Sequence, residues 1–195
     1  MKGMIKLGIV MALYATVACV GLALVYSVTE KTIEERTKAD QNAALRELFP
    51  NADSFEDISG AFASGDPQTT FQSIFRAAKG SDTLGVAIQS ARPSYGGLIT
   101  LLTGVDTGGT VTRVKILEHS DTPGLGANAG LDSYFVDRSA GITFYGQFSG
   151  KTVTDAFEVN GDVTAITAAT ITSRAVTEAV KQSAAAGTKY LAGRR

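Results

Sequence analysis

The run Asp162-Val-Thr-Ala-Ile-Thr-Ala-Ala-Thr170-Ile-Thr-Ser173 gathers hydroxyls beside small side chains, with no charge between Asp162 and Arg174. Ala168 and Ala169 leave room for a phosphate to reach the backbone. A helix-like segment follows. A helix starting around Thr172 presents free N–H groups and the positive end of its dipole to an anion. Thr167, Thr170, Thr172 and Ser173 add hydroxyl donors. The chemistry this pattern suits is the holding of a phosphate. The alternative is helix capping, which Thr and Ser perform well, although a cap needs one hydroxyl and several cluster here. A hydrolytic Thr nucleophile needs an activating base, and His119 is the only histidine of the chain.

Two glycine-containing loops could complete such a site. Glu118-His119-Ser-Asp-Thr122-Pro-Gly124-Leu125-Gly126 follows a strand-like run. Its Pro-Gly-x-Gly turn exposes backbone N–H groups and admits a flat or anionic ligand. Tyr95-Gly96-Gly97 either leaves room for a ring system or opens the next strand as a turn or bulge. Each loop can also be an ordinary surface loop. His119 reads as a strand-end residue that orients its loop.

Composition narrows the chemistry. The chain has 195 residues, enough for one domain plus an appendage. A net charge of −1 supplies no basic field, so nucleic acid is not an expected partner. A single Cys and a single His exclude an internal disulfide and a Cys- or His-cluster metal site. No metal site and no side-chain catalyst is expected. In a chain this poor in catalytic groups, chemistry is brought by a cofactor.

The elements that must position these residues are an anchor, a stalk and a domain. Leu7 to Val28 carries no charge and is long enough to cross a bilayer as a helix. It is too long for the apolar core of a cleaved signal peptide, and no small-x-small site ends it before Ser27. Thr29 to Phe49 reads as a helical stalk stopped by Pro50. Residues 50 to 80 are mixed, with turns at Gly60, Gly65 and Pro67, and Arg76 and Lys79 form a solvated face. Thr83 to Ser90, Leu98 to Val105 and Val111 to Leu117 read as strands, with Asp106-Thr-Gly-Gly109 as a hairpin turn. Ser173 to about Gly187 reads as a helix with Val176, Ala179, Val180 and Ala184 on one stripe. The expectation is an α+β fold: a transmembrane helix (1–28), a helical stalk (29–50), and a domain (51–195) with an antiparallel sheet and a C-terminal helix.

Together these pieces resemble the FMN-binding subunits of the Rnf and Na⁺-translocating NADH:quinone oxidoreductase complexes. The resemblance rests on Thr167-Ala168-Ala169-Thr170, on His119-Ser-Asp-Thr-Pro-Gly-Leu-Gly126, on Tyr95-Gly96-Gly97, on Gln147-Phe148-Ser149-Gly150-Lys151 and on Val28-Thr29-Glu30-Lys31-Thr32-Ile33. Ala168 stands where the family has Gly, Thr164 where it has Asp, and Asp121 where it has Glu. The compact length resembles the G subunit of Rnf more than the C subunit of the quinone reductase. The resemblance implies an electron-transfer subunit with FMN held through a phosphoester on Thr170. Thr167, Ala168, Ala169, Thr172 and Ser173 then line the phosphate. Thr122, Gly124, Leu125 and Gly126, with Tyr95 and Gly97, border the ring. It further implies other membrane, iron–sulfur and flavin subunits as partners, a flavin transferase for maturation, and a single-pass inner-membrane protein with its domain on the outer face. The competing readings are the C subunit of the quinone reductase and an anchored binding or scaffold domain without a redox cofactor.

Overall fold

The computed structural model describes residues 2–193. Helix α1 (Lys2–Leu48) is followed by strands β1 (Ser54–Asp57), β2 (Thr70–Lys79), β3 (Asp82–Pro93), β4 (Leu98–Asp106) and β5 (Val111–Glu118). Two short strands, β6 (Phe135–Asp137) and β7 (Ile142–Thr143), precede the last helix, α2 (Thr170–Ala192). The chain divides into two compact units, Met1–Asn42 and Ala43–Arg195.

The first unit is helix alone. Its apolar part is long and apolar enough to cross a membrane, and its side chains are exposed. Beyond Val28 the helix turns polar. Glu34 accepts from Lys38 at 2.6 Å and Lys31 lies 3.9 Å from Glu35, the i,i+4 spacing that supports a solvated helix by a few tenths of a kcal/mol per pair.

The second unit is an antiparallel sheet in chain order, β1-β2-β3-β4-β5, with a helix on one face and the last turn of α1 on the other. Period-2 alternation explains both layers. Ile99 and Leu101 of β4 join Val176, Ala179, Val180 and Ala184 of α2, whereas Leu102 joins Ala44, Leu45, Leu48 and Phe49. Glycines let Phe49 approach the sheet: a Cβ on Gly85 would lie 2.9 Å from its ring, and one on Gly104 3.2 Å from it. Glu47 ties the same turn to β5 through Arg113 and Lys115, each at 3.3 Å. The β4–β5 hairpin closes as its sequence predicts, with Asp106 Oδ1 accepting from the N–H groups of Gly108 and Thr110 at 2.8 and 2.9 Å.

Three elements depart from the sequence expectation. Strands β1 and β2 occupy part of the stretch read as mixed. Arg76 is not simply solvated, since it pairs with Glu56 across β1 and β2. Register shifts at Phe71/Ser73 and Ala77/Ala78 break the alternation that would have marked β2. Helix α2 begins at Thr170, earlier than expected, and passes through Gly187 to Ala192. Gly187 is a packing residue and not a stop. A Cβ there would meet Ile88 and Val86 at 3.1 Å, so glycine is what lets the helix lie close on β3.

Leu45 is 1% exposed and sits among Phe49, Ala87 and Leu102. Truncating a buried leucine removes about 2–5 kcal/mol. Leu45→Ala in the full chain is expected to lower the unfolding free energy by about that amount, read from denaturant unfolding of the detergent-solubilised protein. An unchanged midpoint would mean that this turn of α1 is not part of the domain's core.

Candidate functional site

The site begins where α2 begins. Its N-cap is Ala169, which has no oxygen in its side chain, and no side chain caps the helix. The hydroxyls of the run are therefore not used up in capping. Ser173 N–H is the first to reach back, to Ala169 O at 3.0 Å. The N–H groups of Thr170, Ile171 and Thr172 lie ahead of it, where a helix has no internal acceptors to offer. They carry the positive end of the helix dipole, about half an elementary charge.

The approach to this end is fixed from several sides. Ser173 Oγ donates to Ala169 O and accepts from Ile166 N–H, both at 2.9 Å. The Gln147 side chain clasps the backbone of Thr164, accepting from its N–H at 2.8 Å and donating to its carbonyl at 3.1 Å. Asp162 accepts from Lys151 Nζ at 2.7 Å and from the N–H groups of Glu158 and Phe157 at 2.6 and 3.2 Å. Partial desolvation pushes the Asp162 carboxyl up, but the Lys151 ammonium and the two N–H donors outweigh it and hold its pKa at about 2. Ala168 then takes φ 58°, the left-handed region that L residues with a Cβ enter at a cost. That turn delivers Ala169 into the core and Thr170 to the surface.

Two loops meet this helix end. Ser94 N–H donates to Gly97 O at 2.6 Å, turning the chain between β3 and β4, with Gly97 at φ 140°. The second loop turns at Thr122, whose carbonyl accepts from Leu125 and Ala127 N–H at 3.1 and 3.2 Å, with Gly124 at φ 78°. Asp121, 6% exposed, joins the loops. Its Oδ2 accepts from Ser94 Oγ at 2.7 Å and its Oδ1 from Gly96 N–H at 2.6 Å. Gly126 brings the second loop onto α2, since a Cβ there would lie 2.5 Å from Thr172 Oγ1 and 2.8 Å from Asp121 Cβ.

Between these segments lies a cleft of about 460 Å³. From the helix end it is lined by Ala168, Ala169, Thr170, Ile171 and Thr172, and from the loops by Tyr95, Asp121, Thr122, Leu125 and Gly126. Most of the residues expected from the sequence thus come together. Thr167, Ser173, Gly97 and Gly124 do not line it. Ser173 is buried in the helix turn, Thr167 is exposed with its N–H 3.4 Å from Tyr134 Oη, and the two glycines shape their loops. Asp121 and Ile171 are lining residues that the sequence expectation did not include. A buried acid in a loop and an apolar residue after a threonine carry no local signal.

The cleft has two chemically different ends. Thr172 is 1% exposed, and its hydroxyl makes no hydrogen bond among the described residues. With the free N–H groups beside it, this end suits an anion. Tyr95, Leu125 and Ile171, 73%, 41% and 56% exposed, form an apolar rim that suits a flat ring. A molecule with a phosphate at one end and a flat apolar ring at the other fits both, and FMN is of that form.

A helix-and-sheet domain with such a cleft, following a long apolar helix, defines a protein of the FMN-binding-domain class. The family model described as FMN-binding domain matches residues 94–185, and that described as RnfG N-terminal region matches residues 1–48. The chain is 34% identical to the G subunit of the proton-translocating ferredoxin:NAD(+) oxidoreductase complex of Clostridium ljungdahlii, over 89% of this chain and 85% of that protein. It is 32% identical to the G subunit of the ion-translocating oxidoreductase complex of Yersinia pestis, over 94% and 90% of the two chains. The crystal structure of Shewanella oneidensis NqrC superposes with a TM-score of 0.42 and 19% identity, over 64% of this chain and 67% of that one. The chain belongs to the RnfG family, the G subunits of Rnf-type ion-translocating oxidoreductases.

Two expected outcomes test this local architecture. Ala168→Gly relieves the left-handed strain while loosening the unfolded chain, and should raise the unfolding free energy by up to about 1 kcal/mol. A lowered thermal midpoint would contradict the strain. Asp162 sits below the ordinary aspartate value of 3.8, at about 2. Its contribution is therefore complete above pH 4 and is lost as pH falls from about 4 to about 2. Asp162→Asn should be less stable than the parent at pH 7, with the gap closing toward pH 2; a gap independent of pH would contradict this.

Proposed function

We propose that the chain is a membrane-anchored flavoprotein subunit carrying FMN through a phosphoester on Thr170, and that it passes electrons within an Rnf-type ion-translocating ferredoxin:NAD⁺ oxidoreductase complex. The observation that carries the reading is the position of Thr170. It is the first residue of a helix without a side-chain cap, it is exposed, and it lines a cleft with a helix start at one end and an apolar rim at the other. When bound, the flavin supplies the electron-transfer chemistry. The chain's own residues hold and orient. The N–H groups of 170–172 and the Thr172 hydroxyl donate hydrogen bonds to the phosphate. Tyr95, Leu125 and Ile171 exclude water from the faces of the ring. Thr122 and Gly126 shape the wall opposite the helix.

Esterification requires the Thr170 Oγ to bond to phosphorus, give up its proton to a base and displace the leaving group of an activated flavin phosphate. Among the described residues, the only carboxylate lining the cleft is Asp121, which is already bonded to Ser94 and Gly96. On this reading the activation comes from a separate flavin transferase, as the family resemblance implies. Thr167 and Ser173 act from outside the cleft, presenting the attachment segment. The relatives support the complex: their names specify proton- or Na(+)-translocating ferredoxin:NAD(+) oxidoreductase complexes. Membrane, iron–sulfur and flavin subunits of such a complex are the partners proposed here. Helix α1 is the single-pass anchor, with the domain at the outer face of the cell membrane.

Co-expression with a flavin transferase should give a band fluorescent under denaturing conditions. Thr170→Ala should abolish it, and Thr172→Val should reduce flavin incorporation while leaving the fold intact by circular dichroism. A dark parent band would refute covalent attachment; a fluorescent Thr170→Ala band would move it to another hydroxyl.

A further inference from the structure

We propose that Asp121 is a positioning residue for the flavin: its carboxylate latches the 94–97 loop onto the 120–126 loop and so sets the width of the ring end of the cleft. The inference rests on the reading that FMN occupies this cleft. Asp121 is 6% exposed, and a carboxylate so buried is costly unless its oxygens are bonded. Both are: Oδ2 to Ser94 Oγ at 2.7 Å and Oδ1 to Gly96 N–H at 2.6 Å. Hydrogen bonds to an ionised acceptor are about twice as strong as neutral ones.

The surroundings leave the latch little freedom. A Cβ on Gly96 would lie 2.2 Å from Ser120 O and 2.8 Å from Asp121 Cα, so the two loop backbones touch. On the other side, a Cβ on Gly126 would lie 2.8 Å from Asp121 Cβ and 2.5 Å from Thr172 Oγ1. Asp121 is thus wedged between the loop that carries Tyr95 and the glycine that packs on the start of α2. Tyr95 is 73% exposed, so burial of its own side chain does little to hold it at the cleft. Its backbone neighbour Gly96 is held by Asp121, which fastens the turn that the Ser94 N–H to Gly97 O bond closes. The acid acts on the ring through Tyr95.

The test uses the full chain and two readouts. In the flavin-free chain, hydrogen exchange at the Gly96 amide reports the latch directly. Asp121→Ala should speed it by about tenfold or more, as expected for loss of a hydrogen bond to a charged group. Asp121→Asn keeps an acceptor for Gly96 and should restore most of the protection. Ser94→Ala, which leaves Asp121 in place, should have a smaller effect of the same sign. In the flavin-loaded chain, the visible circular dichroism of the flavin should diminish in Asp121→Ala, return in Asp121→Asn, and be little changed by Leu45→Ala, which destabilises the fold away from the cleft. Unaltered Gly96 exchange in both Asp121→Ala and Ser94→Ala would overturn the latch. A flavin-bearing Asp121→Ala protein with the parent's dichroism would overturn the positioning role and leave the flavin reading standing. A parent that binds no flavin would overturn that reading and the positioning role together.

Discussion

Helix α2 is held by its packing, and no side chain among the described residues caps its first turn. Val176, Ala179, Val180 and Ala184 are fully buried against the sheet, and Gly187 lets the helix axis approach β3 closely. A helix seated in this way has no freedom to fray toward a cap. Among the described residues, no side chain caps its leading N–H groups, which follow an alanine N-cap. The geometry at Thr170 therefore derives from contacts several turns further along the helix.

The loops opposite are organised by a different force. Close backbone approach at Gly96 and Gly126 removes the space that side chains would fill, and one buried carboxylate satisfies the polar groups brought together. Apolar packing fixes the helix, and a polar contact fixes the loops around it. The cleft is the seam between the two. That division gives it one end lined by the start of a helix and another that offers aromatic and aliphatic surface.

Ala168 shows how the backbone constrains the segment that leads into α2. The chain must reverse between Ile166 and Ala169 so that one side chain enters the core and the next faces solvent. Ala168 makes that reversal at φ 58°, a conformation glycine adopts without penalty. The strain is tolerated because Ser173, Gln147 and Asp162 fasten the segment from three directions.

Where an element's pattern is carried by its own residues, the sequence alone determined it. Leu7 to Val28 declares an apolar helix, Asp106 to Gly109 a hairpin, and the Val176–Ala184 stripe an amphipathic helix, because each depends on nearest neighbours. The hydroxyl run and the Pro-Gly-Leu-Gly loop were likewise legible as candidate ligand-binding segments. Strand β2 was not, since its bulges interrupt the alternation. Nor was the true start of α2, since Thr and Ile are indifferent helix formers and burial of Ala169 decided the boundary. The role of Asp121 was the least legible. It depends on Ser94 and Gly96, some 25 residues earlier, and on Gly126 lying against Thr172. Only the tertiary structure decided it, because hydrogen bonds and close approaches between distant segments leave no periodic trace in the chain.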